Sequence, residues 1–70
     1  MREFIDANGT RYFVSPGISR DGHTWMTVYQ KRGANGTHRA KNLPIVETRD
    51  EAQKLLDEYA AKKHLRESKL

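Results

Sequence analysis

The chain has no cysteine. That excludes disulfide bridges and thiolate zinc sites and fits a reducing, cytoplasmic setting. Long apolar runs are also missing: none exceeds two or three residues, against the ~20 that a membrane-spanning helix needs. The start, Met1-Arg2-Glu3-Phe4, has no apolar stretch of a signal peptide's length. Catalytic signatures are sparse. His23, His38 and His64 are scattered without carboxylates at triad spacing, and neither a His-x-x-x-His pair nor a phosphate-binding glycine loop occurs. The Asp50-Glu51 and Asp57-Glu58 pairs suit a solvated helix face. These absences predict a non-enzyme with no cofactor, no metal and no small-molecule substrate.

What is present is short and basic. Seventy residues suffice for one domain whose thin core must rest on packing alone. The net charge of +4 is unevenly placed: residues 1–46 hold seven Lys/Arg and three Asp/Glu, whereas 47–70 hold six of each. Such a bias attracts polyanions through a long-range field, although a charge of this size also serves ordinary solubility.

Ala7-Asn8-Gly9-Thr10 and Ala34-Asn35-Gly36-Thr37 repeat one tetrapeptide. Asn-Gly suits a tight type I′ turn, so each copy predicts a hairpin; each is also an Asn-x-Thr glycosylation acceptor. The first hairpin joins Glu3–Asp6 to Thr10–Ser15, and Pro16-Gly17 then breaks the chain before an Ile18–Gly22 loop. His23–Arg32, rich in Trp, Thr, Val and Tyr, reads as a strand. Thr37–Leu43 follows as another, ended or placed on an edge by Pro44, with Ile45-Val46 as connector. Thr48-Arg49-Asp50-Glu51 forms a capping box. Beyond it Ala52, Leu55, Leu56, Tyr59, Ala60 and Lys63 recur at helical steps, which predicts a helix over about 48–64. The fold class is therefore α+β: a three- or four-stranded antiparallel sheet on one C-terminal helix, residues 1–66 forming the domain and 67–70 a frayed tail. The final Ser68-Lys69-Leu70 matches a peroxisomal address, meaningful only in a eukaryote.

One sheet face must bury the helix. Met26, Val28, Tyr12, Val14 and Ala40 make a consistent inner set. Alternation then leaves Arg11, Phe13, Trp25, Thr27, Tyr29, Lys31, Arg39 and Lys41 outside, where guanidinium groups and rings suit nucleic acid. The other register turns Trp25 and Tyr29 toward the helix and leaves Met26, Val28 and Gln30 outside.

The element order, with Glu47-Thr48-Arg49-Asp50-Glu51-Ala52-x-x-Leu55-x-x-Glu58-Tyr59-Ala60 following a Trp strand and a basic strand, resembles the Apetala-type (ethylene-response-factor) DNA-binding domain. It is similar in plan to the arm-binding domains of phage and transposon integrases. The resemblance spans roughly residues 11–63 and implies that the sheet enters the DNA major groove with Arg11, Trp25, Arg39 and Lys41. The expected function is a nucleic-acid-binding module, DNA rather than RNA, of phage or mobile-element type, using Arg11, Phe13, Trp25, Tyr29, Lys31, Arg39 and Lys41. The alternative is a protein-interaction module that docks a partner or pairs two copies through the sheet face or an edge strand.

Overall fold

A computed structural model of the chain describes residues 2–17 and 24–68. The expected Ile18–Gly22 loop, His23 and the last two residues lie outside them. Five strands, β1 (Glu3–Ile5), β2 (Arg11–Gly17), β3 (Thr24–Gln30), β4 (His38–Arg39) and β5 (Arg66–Ser68), form one antiparallel sheet in the order β4-β3-β2-β1-β5. Helix α1 (Arg49–Lys63) lies between β4 and β5 in sequence and packs on β2 and β3. The α+β class is as expected, with one strand more than the sequence suggests.

The extra strand comes from the presumed frayed tail. Thr48 caps α1, its hydroxyl accepting from the Glu51 N–H at 3.2 Å. At the other end His64 turns left-handed (φ 58°), and the Leu65 N–H donates to the Ala60 carbonyl at 2.9 Å. This bond closes a Schellman-type reversal. The reversal sends the chain back along β1, so Arg66 pairs with Ile5, Glu67 with Phe4 and Ser68 with Glu3.

The two Ala-Asn-Gly-Thr segments fold differently. In the first, the Asp6 carboxylate accepts from the Asn8 and Thr10 N–H groups, each at 2.9 Å, and Gly9 donates to the Asp6 carbonyl. Gly9 alone takes positive φ (85°) and Asn8 does not. That is a three-residue loop closed by a left-handed glycine, not the expected type I′ turn. In the second, the reversal comes earlier, at Lys31–Ala34, where the Ala34 N–H donates to the Lys31 carbonyl and Gly33 takes φ 79°. Gly33 fills the third turn position that a type II turn reserves for glycine, so Asn35-Gly36 is left as connecting chain. The expected Thr37–Leu43 strand shrinks to His38–Arg39, and a turn closed by Leu43 N–H to the Ala40 carbonyl ends it before Pro44. Val46 is more than a connector: it exchanges both backbone hydrogen bonds with Trp25, at 2.7 and 2.9 Å.

The register sets the faces. Val14 pairs with Thr27, Tyr12 with Tyr29 and Pro16 with Trp25. Val14, Ala52 and Leu56 form the core, with Phe4, Tyr12, Trp25 and Val46 packed against them. The helix presents Ala52, Leu56 and Ala60, all buried, four residues apart. Two alanines flanking one leucine leave room for large rings opposite, and Trp25 and Tyr12 supply that bulk. Hence Trp25, Thr27 and Tyr29 point to the helix side, and Met26 and Val28 to the open side. This corrects the first face assignment and follows the second register. Leu55 is only half-buried, whereas Leu56 is wholly buried.

Candidate nucleic-acid interface

The face turned away from α1 is built in cross-strand rows, since paired residues share a face. Arg66, Ile5, Arg11 and Gln30 make one row across β5, β1, β2 and β3. Phe13, Val28 and Arg39 make the next across β2, β3 and β4, and Ser15 with Met26 the third. Of the expected site residues, the structure brings Arg11, Phe13 and Arg39 together here. Trp25 and Tyr29 lie on the helix side instead. Lys31 and Lys41 sit on no strand: Lys31 opens the β3–β4 turn and Lys41 lies in the turn after β4, both exposed.

The open face is held in place by local bonds. Arg11 donates through Nη2 to Gln30 Oε1 at 3.0 Å, and its guanidinium carbon lies 6.0 Å from the Phe13 ring centre. Arg39 donates through Nη1 to the Leu43 carbonyl at 3.2 Å. Among the described residues the ion pair formed is Arg2 with Asp57, on the helix side. Arg11, Arg39 and Arg66 therefore have no carboxylate partner among those residues; Arg39 and Arg66 are exposed and Arg11 is half-buried. Glu3, paired with Ser68 on β5, is the acid that shares their face.

The expected site residues do not include Gln30 or Arg66, and Gln30 stands on the outer face only in the second register. Gln30 was lost to the wrong register of β3. Arg66 was lost because the polar end of the chain gave no strand signal; a left-handed reversal at His64, rather than the usual glycine, carries it back to the sheet.

The helix side holds a second concavity of about 530 Å³ at the β4 edge. Tyr12, Tyr29 and Tyr59 line it, with ring centres 6.0 Å apart for Tyr12–Tyr29 and 5.9 Å for Tyr12–Tyr59, and His38 lies 5.6 Å from Tyr29. Burial raises the Tyr12 phenol above its ordinary value, and the neighbouring Tyr59 and Asp6 add to the rise.

Comparison with protein-family models, with curated proteins and with solved structures finds no match to this chain. Among the described residues no helix is long and apolar enough to cross a membrane.

Proposed function

We propose that the chain is a DNA-binding module that lays the open face of β2, β3 and β4 into the major groove of a duplex. The observation that carries the reading is the pair of Arg11 and Arg39 on that face, neither with a carboxylate partner among the described residues, with Gln30 in the row of Arg11, Ser15 in the third row and Arg66 further out on β5. Arginine can make two hydrogen bonds to guanine, glutamine two to adenine, and serine one to either. Three strands at ~4.8 Å spacing span about 10 Å, against a major groove about 12 Å wide. Exposed Lys31 and Lys41 flank the face and suit phosphates.

The same geometry argues for a duplex over single strands. Single-strand binders stack bases on several rings. Here Trp25, Tyr12 and Tyr29 are committed to the helix side, and Phe13 is the ring left on the open face. It also favours DNA over RNA, because the major groove of an A-form helix is too deep and narrow for side chains to read.

The test is binding to duplex and single-stranded DNA across salt concentrations. Log affinity for duplex should fall steeply with log salt, by about 0.9 for each phosphate neutralised. Absence of duplex binding at about 50 mM salt, where phosphate contacts are strong, overturns the reading. A concentration-dependent dimer that covers Phe13 would move it to the protein-interaction alternative.

A further inference from the structure

The two hairpin turns meet at one end of the sheet, and they meet around positive charge. We infer that the notch between them, bounded by Arg11, Lys31 and Arg32, is a phosphate-binding site that grips a nucleic-acid backbone beside the reading face. The inference rests on the DNA-binding reading for the source of the phosphate, and adds Arg32 to the contacts.

The notch is a built feature. Gly9 closes the first turn with φ +85°, and a Cβ placed there would stand 3.1 Å from Arg32 Cδ and 3.3 Å from Arg32 Cβ. The aliphatic stem of Arg32 therefore lies across the first turn, with its charged head left to solvent, as long basic side chains do when their stems cover a surface. Arg11 is fixed from the other side. Its Nη2 donates to Gln30 Oε1 at 3.0 Å, and Gln30 Nε2 donates to the Ala34 carbonyl at 2.9 Å, so the guanidinium is tied to the second turn. Between these groups lies a hollow of about 260 Å³ that also borders Lys31 and Gly33.

Among the described residues no carboxylate lines it. Asp6, in the adjoining turn, spends one carboxylate oxygen on the Asn8 and Thr10 N–H groups, both at 2.9 Å. Three cations drawn together without a counter-charge repel one another. An oxyanion relieves that repulsion and can accept several charge-assisted hydrogen bonds at once. Gly33 borders the hollow, and a Cβ built there would point into open space, with nothing within 4 Å.

The experiment uses the whole chain, isotope-labelled, titrated with inorganic phosphate against chloride at matched ionic strength. In the same buffers, affinity for a short duplex is measured across salt. The comparison variant is Lys31→Gln with Arg32→Gln, which keeps the stem over Gly9 and removes two charges. Phosphate should shift the amide signals of Gly9, Arg32, Gly33 and Ala34 in the wild type and leave them unmoved in the variant. The variant should melt as the wild type does, bind duplex about 5–10-fold more weakly per lost contact, and show a salt slope smaller by about 0.9 for each. Equal phosphate shifts in both proteins, or none in either, overturn the site. If the variant loses the phosphate shifts but keeps its duplex affinity and slope, the notch takes free phosphate and the backbone assignment is overturned. If the wild type binds no duplex while phosphate still moves these amides, the DNA reading fails and the anion site stands.

Discussion

The two faces of the sheet draw on nearly the same sequence and end in opposite chemistry. On the helix side, Phe4, Tyr12, Val14 and Trp25 pack against Ala52 and Leu56. On the open side, one residue out of step along each strand, the rows read Arg66-Ile5-Arg11-Gln30 and Phe13-Val28-Arg39. The difference shows what a one-residue change of register does. It moves every side chain of a strand to the other face, so the same β3 serves the helix side through Trp25, Thr27 and Tyr29 and the open side through Met26, Gln30 and Val28, the last of them buried. The covered face should respond to substitution in stability, and the open face in binding.

Leu56→Ala is the sharpest break of the covered face. Leu56 is 0% exposed at the centre of the helix stripe. Truncation should cost roughly 2–5 kcal/mol, comparable to the whole stability of so small a domain. Leu55→Ala, one position round the helix and half-buried, should cost about 1–2 kcal/mol, since less of its surface leaves water on folding. Thermal melts of the two variants compare them directly; equal melting temperatures would show that α1 does not dock by this stripe.

Trp25→Ala comes next. A fully buried Trp costs about 3–5 kcal/mol on truncation. The Trp25 ring packs on the core but keeps some exposure, and its backbone stays bonded to Val46. The expected loss is about 2–4 kcal/mol. Urea unfolding measures it, and an unchanged midpoint would return Trp25 to the open face.

The fold was legible where local chemistry decides it. Thr48 and Glu51 mark the helix start, and Ala52, Leu56 and Ala60 mark its buried stripe, because capping and periodicity are properties of neighbouring residues. The faces of β3 were not, since both carry apolar side chains: Trp25 and Tyr29 on one, Met26 and Val28 on the other. Pairing with β2 settles the choice, and that is a non-local fact. The small alanines of α1 were the available hint that large rings lie opposite. The identical Ala-Asn-Gly-Thr segments make the same point about turns. Asp6 stands before the first and bonds back to its N–H groups. Gly33 stands before the second and turns the chain early. Half of the candidate site, Arg11, Phe13 and Arg39, was visible; Arg66 and Gln30 depended on a strand and a register that the sequence does not announce.

The open face should lose binding and keep its fold. Arg39→Ala removes an exposed side chain that donates to the Leu43 carbonyl. Its melting temperature should stay within what about 0.5 kcal/mol produces. Duplex affinity should fall by roughly 1–3 kcal/mol if Arg39 reads a base edge, with relaxed preference at one base pair. A phosphate contact would instead weaken all sequences alike and reduce the salt slope by about one. Wild-type affinity for every duplex would remove Arg39 from the interface.

The smallest effect belongs to the covered face and appears only in alkali. An exposed tyrosine ionises near pH 10, and burial, with Tyr59 and Asp6 nearby, raises the Tyr12 phenol above that. As pH rises past about 10, the unfolded chain releases this proton before the folded one does. The unfolded state then binds fewer protons, and unfolding free energy decreases with pH. Below that range both states keep the proton and Tyr12 contributes no pH dependence. Tyr12→Phe should therefore lose up to about 1 kcal/mol at neutral pH, the scale of one phenol hydroxyl's hydrogen bonding. It should also lose stability less steeply than the wild type above pH ~10. The gap between the two proteins in denaturant melts should be widest at neutrality and narrow in alkali. A gap that stays constant would show that the Tyr12 hydroxyl reaches water and that the covered face is wetter at the β4 edge than its ring contacts imply.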